Sequence, residues 1–561
     1  MRKMVFFFLI SINMFAQNTF KILITDEHSG EPLPGVNILV LNSTLGASTN
    51  EDGFAEIKNI PDGMQNIKIS YIGYEEQILT LNFPLSNGET IELKLEEEAE
   101  ELEEISVSST RSSRLIDDEP TRVEVIAGEE MEEKINMDPS SISMVLNEST
   151  GIQVQQTSAA SVNSTFRIQG LEGRFTQLLR DGFPLYSGYS GSLSINQIPP
   201  LDLKQIEVIK GSSSTLYGGG AIAGLINLIS KEPQEKRDIS LLLNGTTATG
   251  LDLSGYYSEK YENIGLSIFA SHNSQQSYDN NDDKFTDLPE TDRYTINPKI
   301  YFYLSEKSTL MIGASLISEG RTGGYIPAIE DRVDTAYTEE NKSGRYSTQL
   351  RFDLKMDEGT ILSFKNSFGY FEREILLPSY SFEGNQLSSF SELTYTINNE
   401  GMEWIFGLNL NTSSFDDKSG NEQNHSFSHQ TFGAFLQNTV DLSDIIAFES
   451  GFRTDYNNKY GWFALPRLSL LIEWTDKLTS RLGGGLGYKL PEVFTEKAEE
   501  LNFRNIDPLP QGELQSEKSY GLNFDLNYKT IIADEVTLSI NNLFFYTRIT
   551  DPVILVNNVQ G

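Results

Sequence analysis

Residues 211–231 read GSSSTLYGGGAIAGLINLISK, hydroxyls and glycines ahead of an apolar run. Such a stretch can cradle a phosphate, because backbone N–H groups at a helix start attract anions. A P-loop, however, needs G-x-x-x-x-G-K-[ST], whose lysine and hydroxyl hold the phosphates and magnesium. Here Gly211 and Gly218 are too far apart, and Ala221 and Ile222 stand where the lysine and hydroxyl belong. Gly218 and Gly220 cannot be completed into a dinucleotide fingerprint either. What remains is a tight backbone crossing in a compact domain that fits inside something larger.

Two other clusters invite a metal. Asp279, Asn281, Asp283, Asp287 and Glu290 fall at positions one, three, five, nine and twelve of an EF-hand-like loop. Carboxylates so spaced can wrap calcium. Lys284 replaces the required glycine, Pro289 stiffens the end, and strand-like runs flank it, so it reads as a solvated outer loop. His425 and His429 form H-S-F-S-H. On a strand they stand about 13 Å apart, too far to share one metal, and they too read as a solvated loop. With four histidines and no cysteine, no resident metal or cofactor is expected. No G-x-S-x-G or H-E-x-x-H occurs, so the chain does not read as an enzyme.

The net charge of -37 argues against a nucleic-acid partner, which needs a basic face. Arg2 and Lys3 precede an uncharged run to Phe20 whose apolar core is too short to span a bilayer. Residues 1–16 therefore read as a secretory signal peptide, with cleavage near Ala16 or Gln17.

Four textures follow. Residues 18–97 hold strand-like runs at 21–25, 36–41, 54–57 and 66–71, separated by Ser29-Gly30, Pro34-Gly35, Asp52-Gly53 and Pro61-Asp62-Gly63. Short strands so spaced predict a small Ig-like β-sandwich. Residues 98–119 form an acidic linker (seven of residues 96–104 are glutamate) broken by the β-prone run Ile105–Thr110. Such a segment, exposed and extended, can add a strand to a partner's sheet. Residues 120–231 mix short strands and helices in an α+β domain.

From 235 to 561 alternation takes over. Leu350, Phe352 and Leu354 oppose Gln349, Arg351 and Asp353, and Trp404, Phe406, Leu408 and Leu410 share one face. About fifteen such runs, with aromatic residues near their ends and long polar links between some of them, predict a transmembrane antiparallel β-barrel. The fold class is thus mainly β.

The motifs carry a family resemblance. GEPLPGVNI, TNEDGFAEI and ISYIGYEE resemble a carboxypeptidase-regulatory-like domain, which brings no catalytic residues. STGIQVQ, FRIQG, LLRDGFPL and QIEVIKGSSSTLYGGGAIAGLINLISK resemble the plug of TonB-dependent outer-membrane receptors. GLGYKLPEVFTE and LQSEKSYGLNF are similar to their barrel motifs. The resemblance gives structural roles to Arg167, Gly170, Asp181, Gly182, Gly211, Tyr217, Gly218 and Gly224. It places a TonB-box-like segment at Ile105, Ser106, Val107, Ser108 and Ser109. Gln169 and Arg180 depart from the family's usual arginine and apolar residue.

It further implies a receptor in the cell outer membrane, in contact with its lipid, that binds a small-molecule ligand. That ligand, a ferric siderophore foremost, would be imported with energy delivered by TonB and its inner-membrane complex; no residue is singled out to bind it. A SusC-type glycan or peptide importer and a non-transporting adhesive protein remain as alternatives. The family barrel has 22 strands, so fifteen runs ending in PVILVNNVQG carry the expectation of a barrel truncated at its C-terminus.

Overall fold

The computed structural model describes residues 18–95 and 107–556, except 28, 42, 72–73, 86–89, 113, 194, 332–335, 400, 421–422, 511–513 and 533–535. The signal-peptide segment lies outside the described residues. The chain divides into two units, residues 1–105 and 106–561.

The first unit has seven strands: β1 (Asn18–Asp26), β2 (Asn37–Val40), β3 (Gly46–Ser48), β4 (Phe54–Ile60), β5 (Gly63–Tyr71), β6 (Tyr74–Phe83) and β7 (Thr90–Leu95). They form two sheets, β4-β1-β7 and β3-β2-β5-β6. Strict alternation in β1 sends Phe20, Ile22 and Ile24 into a core shared with Ile38, Val40, Ile57, Ile67 and Ile69. Burying one apolar face of each sheet against the other is what makes so small a domain a sandwich.

The second unit opens with β8 (Val123–Ala127), α1 (Gly128–Met137) and α2 (Ser143–Glu148). Then come β9 (Ile152–Gln156), β10 (Ser164–Ile168), β11 (Leu171–Glu172), β12 (Thr176–Arg180), β13 (Phe183–Tyr186), β14 (Leu203–Lys210), α3 (Ser214–Tyr217) and β15 (Gly224–Ser230). One sheet runs β13-β12-β15-β14-β8 and a smaller one β11-β10-β9. The apolar run after the triple glycine is β15, the strand hydrogen-bonded to both β12 and β14. Gly224 begins it at φ 134°, where a Cβ would stand 1.9 Å from the Ile209 carbonyl oxygen, so no side chain fits.

Fifteen antiparallel strands, β16 (Asp238–Gly245) through β30 (Val536–Thr550), form one continuous sheet in sequence order. Among the described residues the two edge strands, β16 and β30, are not hydrogen-bonded to each other. The strands are polar inside and apolar outside. Arg293, Lys299, Glu319, Glu339, Arg373, Glu392, Arg453 and Asp525 are buried, whereas Leu408 is 48% and Trp462 71% exposed. Water would drive the opposite arrangement, so the outward face is one for lipid.

The strand ends differ too. One end has short links at 262–263, 306–307, 358–359, 401, 444–445 and 476–477; the other carries the segments 276–289, 325–337, 418–426 and 490–516 beside shorter links at 246–250, 378–379 and 458–460. Short turns at one end and the long loops gathered at the other are the pattern of outer-membrane barrels.

Candidate functional site

The α+β domain sits inside the curved sheet and is fixed there by ion pairs between its strands and the wall. At the turn after β12, Asp181 accepts hydrogen bonds from Ser230 N at 2.8 Å and Ser230 Oγ at 3.0 Å, and pairs with Lys299 of β19 (Glu290–Ser305) at 2.5 Å. Burial alone would raise this carboxyl, but Lys299, Arg180 and the Ser230 amide together hold it well below the usual carboxylate range. Asp181 has φ 53° and Gly182 φ 75°, a turn that brings Gly182 against the Lys365 ammonium and whose positive φ favours glycine. Arg180, the departure noted in the sequence, pairs with Asp202 inside the domain rather than with the wall. Gln169 takes a left-handed conformation at φ 54° before Gly170 at φ 80°.

The triple glycine meets the wall directly. A Cβ on Gly218 would lie 2.9 Å from the Arg453 guanidinium, and one on Gly219 2.7 Å from the Tyr488 ring. The close approach read from the sequence is therefore an approach to the barrel wall. Gly211, at φ 103°, turns the chain out of β14.

At the short-turn end lies the segment that precedes β8. Ile105 and Ser106 fall outside the described residues. Val107 is 3% exposed and packs with Val123, Leu179, Ile209 and Leu225. The Ser108 and Ser109 amides donate to the two oxygens of Glu207, at 2.9 and 2.8 Å. Glu207 is 0% exposed and also accepts from Gln205 Nε2 at 2.8 Å. The Tyr217 hydroxyl donates to the Ser109 carbonyl at 2.7 Å. Arg111 then crosses to Glu392 of the wall at 2.8 Å, its guanidinium 4.6 Å from the Tyr217 ring, and Arg114 makes two 2.7 Å bonds to Asp441. The sequence expectation of an exposed segment is thus corrected for Val107 and Ser109, while Ser108 keeps an exposed side and docks through its amide. An apolar anchor and a buried carboxylate dock them on the domain. The signal was present: Glu207 and Asn227 stand alone in the apolar runs IEVI and LINLI, and a buried carboxylate requires donors.

At the long-loop end an aromatic cluster joins plug, wall and loop. Tyr189, fully buried, packs its ring 4.9–5.8 Å from those of Phe371, Phe382, Phe415, Phe494 and Phe503. Phe494 and Phe503 belong to the 490–516 segment, which carries α5 (Glu496–Glu500). Arg167 pairs with Glu496 at 2.5 Å, and Arg373 with Glu499 at 2.6 Å, so the segment is tied to both domain and wall.

His425 is not solvated as the sequence reading had it. It is buried, with Nδ1 2.8 Å from Asp417 and Nε2 2.9 Å from the Ile506 carbonyl. Two acceptors on one imidazole outweigh the effect of burial and raise its pKa. His429, also buried, stacks on Phe427 at 4.9 Å. Asp279 accepts from the Asn281 and Lys284 amides at 3.1 and 2.7 Å, and Asp283 from Phe285 at 2.8 Å. These carboxylates cap their own turn. Among the described residues no three His, Asp or Glu side chains gather as a metal site, at Glu290 or elsewhere.

A lipid-facing β-barrel wall enclosing a separately folded domain, with a docked segment at one end and folded loops at the other, defines a plugged outer-membrane receptor. The comparisons agree. The TonB-dependent receptor plug domain matches residues 116–225, the TonB-dependent receptor-like β-barrel matches 267–561, and a CarboxypepD_reg-like domain matches 23–107. The chain belongs to the TonB-dependent receptor family, and its place is the outer membrane.

Among curated relatives it is 22% identical over 397 residues to the vitamin B12 transporter BtuB of Photobacterium profundum, covering 69% of this chain and 62% of that protein. It is 27% identical over 212 residues to the ferrioxamine receptor of Yersinia enterocolitica, covering 37% of this chain and 28% of that one. The chain thus spans less than two thirds of the length of either. Among solved structures, a variant of the ferric enterobactin receptor PfeA of Pseudomonas aeruginosa superposes with TM-score 0.64 at 15% identity, covering 79% of this chain and 73% of that one. The ferric yersiniabactin uptake receptor FyuA of Yersinia pestis gives 0.63 at 16%, covering 80% and 75%.

Proposed function

We propose that this chain is a receptor that binds a ferric chelate from outside the cell and passes it to the periplasm when TonB pulls on the segment around Val107. Residues 105–109 then act as the TonB-contacting strand, 120–231 as the plug and 235–561 as the barrel wall. The chain acts as a transporter rather than an enzyme. The observation that carries the reading is the docking of Val107, Ser108 and Ser109 on Glu207 at the short-turn end. A segment held by two amide hydrogen bonds to Glu207, single side-chain bonds from Tyr217 and Asn227 and one apolar side chain can be released without unfolding the plug sheet. Ligand specificity lies with the opposite end, where loops and plug meet. The siderophore receptors among the relatives and structural neighbours support iron as cargo, and the B12 transporters keep cobalamin as the second class to test.

Calorimetric titration of the purified chain with ferric siderophores, cobalamin and oligosaccharides separates the classes. Calorimetry suits this chain better than tryptophan quenching, since Trp462 and Trp474 lie exposed on the sheet's outer face. Saturable binding of a ferric chelate is the expected result. Binding of an oligosaccharide alone would replace this reading with a SusC-type importer.

A further inference from the structure

Arg345 stands in β21 (Thr338–Asp357), on the inner wall beneath the aromatic cluster around Tyr189. It is 5% exposed, and its guanidinium carbon lies 4.1 Å from the Tyr186 ring of the plug and 4.0 Å from the Phe371 ring of the wall. Its Nε donates to Gln197 Oε1. Nη1 and Nη2, the end of the fork, are buried and have no hydrogen-bond partner among the described residues. Neighbouring wall arginines are served differently. Arg293 and Arg321 share Glu319, and Arg373 pairs with Glu499. Glu319 also accepts from Gln197 Nε2 at 3.0 Å. Carboxylates are not scarce in a chain with 80 Asp and Glu against 43 Lys and Arg, yet among the described residues none makes a direct ion pair with Arg345, Glu319 acting on it only from a distance.

Arg345 lines a crevice between plug and wall, with Ser190, Gly369, Gln386 and Ser388 around it. That crevice adjoins a larger lumenal cavity, both being lined by Pro184, Leu185, Tyr186, Ser190 and Ser388. A guanidinium sandwiched between two rings is desolvated on both faces and can receive a partner only edge-on. Two parallel N–H groups at that edge match the two oxygens of a carboxylate.

We propose that Arg345 is an anion subsite of the lumen, which holds a carboxylate of the ligand as it moves past the plug. This rests on the import reading above, in that the carboxylate arrives on the transported ligand. The rings of Tyr186 and Phe371 fix the plane of the fork. Since Phe371 also packs on Tyr189, the subsite lies next to the aromatic cluster that joins plug, wall and the helix-bearing loop.

The test is calorimetry on the purified full chain with citrate, ferric citrate and a neutral ferric trishydroxamate, for wild type, Arg345→Lys and Arg345→Gln. Wild type should bind a citrate species. R345Q should weaken that binding at least tenfold, and R345K, which keeps the charge and loses the fork, by a smaller factor. Affinity for the neutral chelate should stay within twofold. Binding of free citrate assigns the subsite to any small carboxylate, and binding of ferric citrate alone assigns it to the chelate. Melting curves of both variants check the fold, and Arg345→Met, an uncharged residue that still fills the space between the rings, supplies a second loss of anion binding should R345Q be unstable. Failure of wild type to bind either citrate species overturns the proposal. So does unchanged citrate binding in R345Q and R345M, or an equal loss for the neutral chelate. Binding by purified protein needs no TonB. A chain that bound citrate through Arg345 yet accumulated no ligand in cells would refute import and leave the subsite standing.

Discussion

Replacing Glu207 by Gln removes one charge and turns one of its two acceptor oxygens into a donor. In the folded chain both oxygens are in use, at 2.9 Å from Ser108 N and 2.8 Å from Ser109 N. A hydrogen bond to a charged group contributes about 1.5–3 kcal/mol. The variant loses one such bond, weakens the other and sets an NH2 group against a backbone N–H. The expected loss of docking free energy is about 2–4 kcal/mol. That shifts the ratio of docked to free segment by about 30- to 700-fold. The plug sheet stays intact, because β14 keeps its ladders to β8 and β15. The chain has no cysteine, so Val107→Cys provides a single reporter at a buried position of the docked segment. Maleimide should modify it in proportion to the free population when opening is fast compared with labelling. Glu207→Gln should accelerate labelling at least tenfold at an unchanged melting temperature. Labelling of the two folded proteins within twofold of each other would refute the argument that Glu207 holds the segment.

Three further outcomes follow from the same structure. Gly224→Ala places a methyl 1.9 Å from the Ile209 carbonyl at a φ that only glycine adopts readily, so the plug should lose at least about 3 kcal/mol and become protease-sensitive within the barrel. Lys299→Met leaves Asp181 buried without its cation; about 3–5 kcal/mol of plug stability should disappear, read as a lower denaturant midpoint. Burial, helped by Glu403 and opposed by Ser112 and Arg114, pushes the Glu119 carboxyl up to about 7, from an ordinary 4.5. The folded state therefore binds this proton more tightly than the unfolded one, and stability falls as pH rises from about 4.5 through 7. The loss approaches about 3 kcal/mol by pH 8. Glu119→Gln should flatten that slope and raise the melting temperature at pH 8, whereas an unchanged slope would assign it to another group.

Much of the fold was legible because it rests on periodicity. Alternation in QLRFDLK and MEWIFGLNL marks wall strands, and the strand ladders place Leu350, Phe352, Leu408 and Leu410 where alternation put them. The glycine motif was legible as a close approach, because only missing side chains permit Gly218 and Gly219 to meet Arg453 and Tyr488. What lies beneath those pairs was not legible. Apart from the neighbours Gln205 and Arg180, the partners of Glu207, Asp181 and Arg345 come from positions 20 to 160 residues away in sequence, and no local pattern encodes such distances. His425 was misread for the same reason, since its second acceptor is the carbonyl of Ile506, 81 residues on. Strand β6 escaped notice because the polar run EEQ breaks its alternation, whereas β7, TIELKL, alternates fully and was legible though short.

The central claim is that TonB acts on a docked segment to move ligand through a plugged barrel. Uptake of a radiolabelled ferric chelate, chosen by the calorimetric panel, tests it most directly. Cells would carry the chain, or its Val107→Pro variant, with and without TonB. Proline removes a backbone donor from the segment that must pair with a partner's strand. The account predicts accumulation that requires both TonB and Val107, with ligand binding to the cell surface preserved in every strain. Equal accumulation without TonB, or by the proline variant, would contradict it.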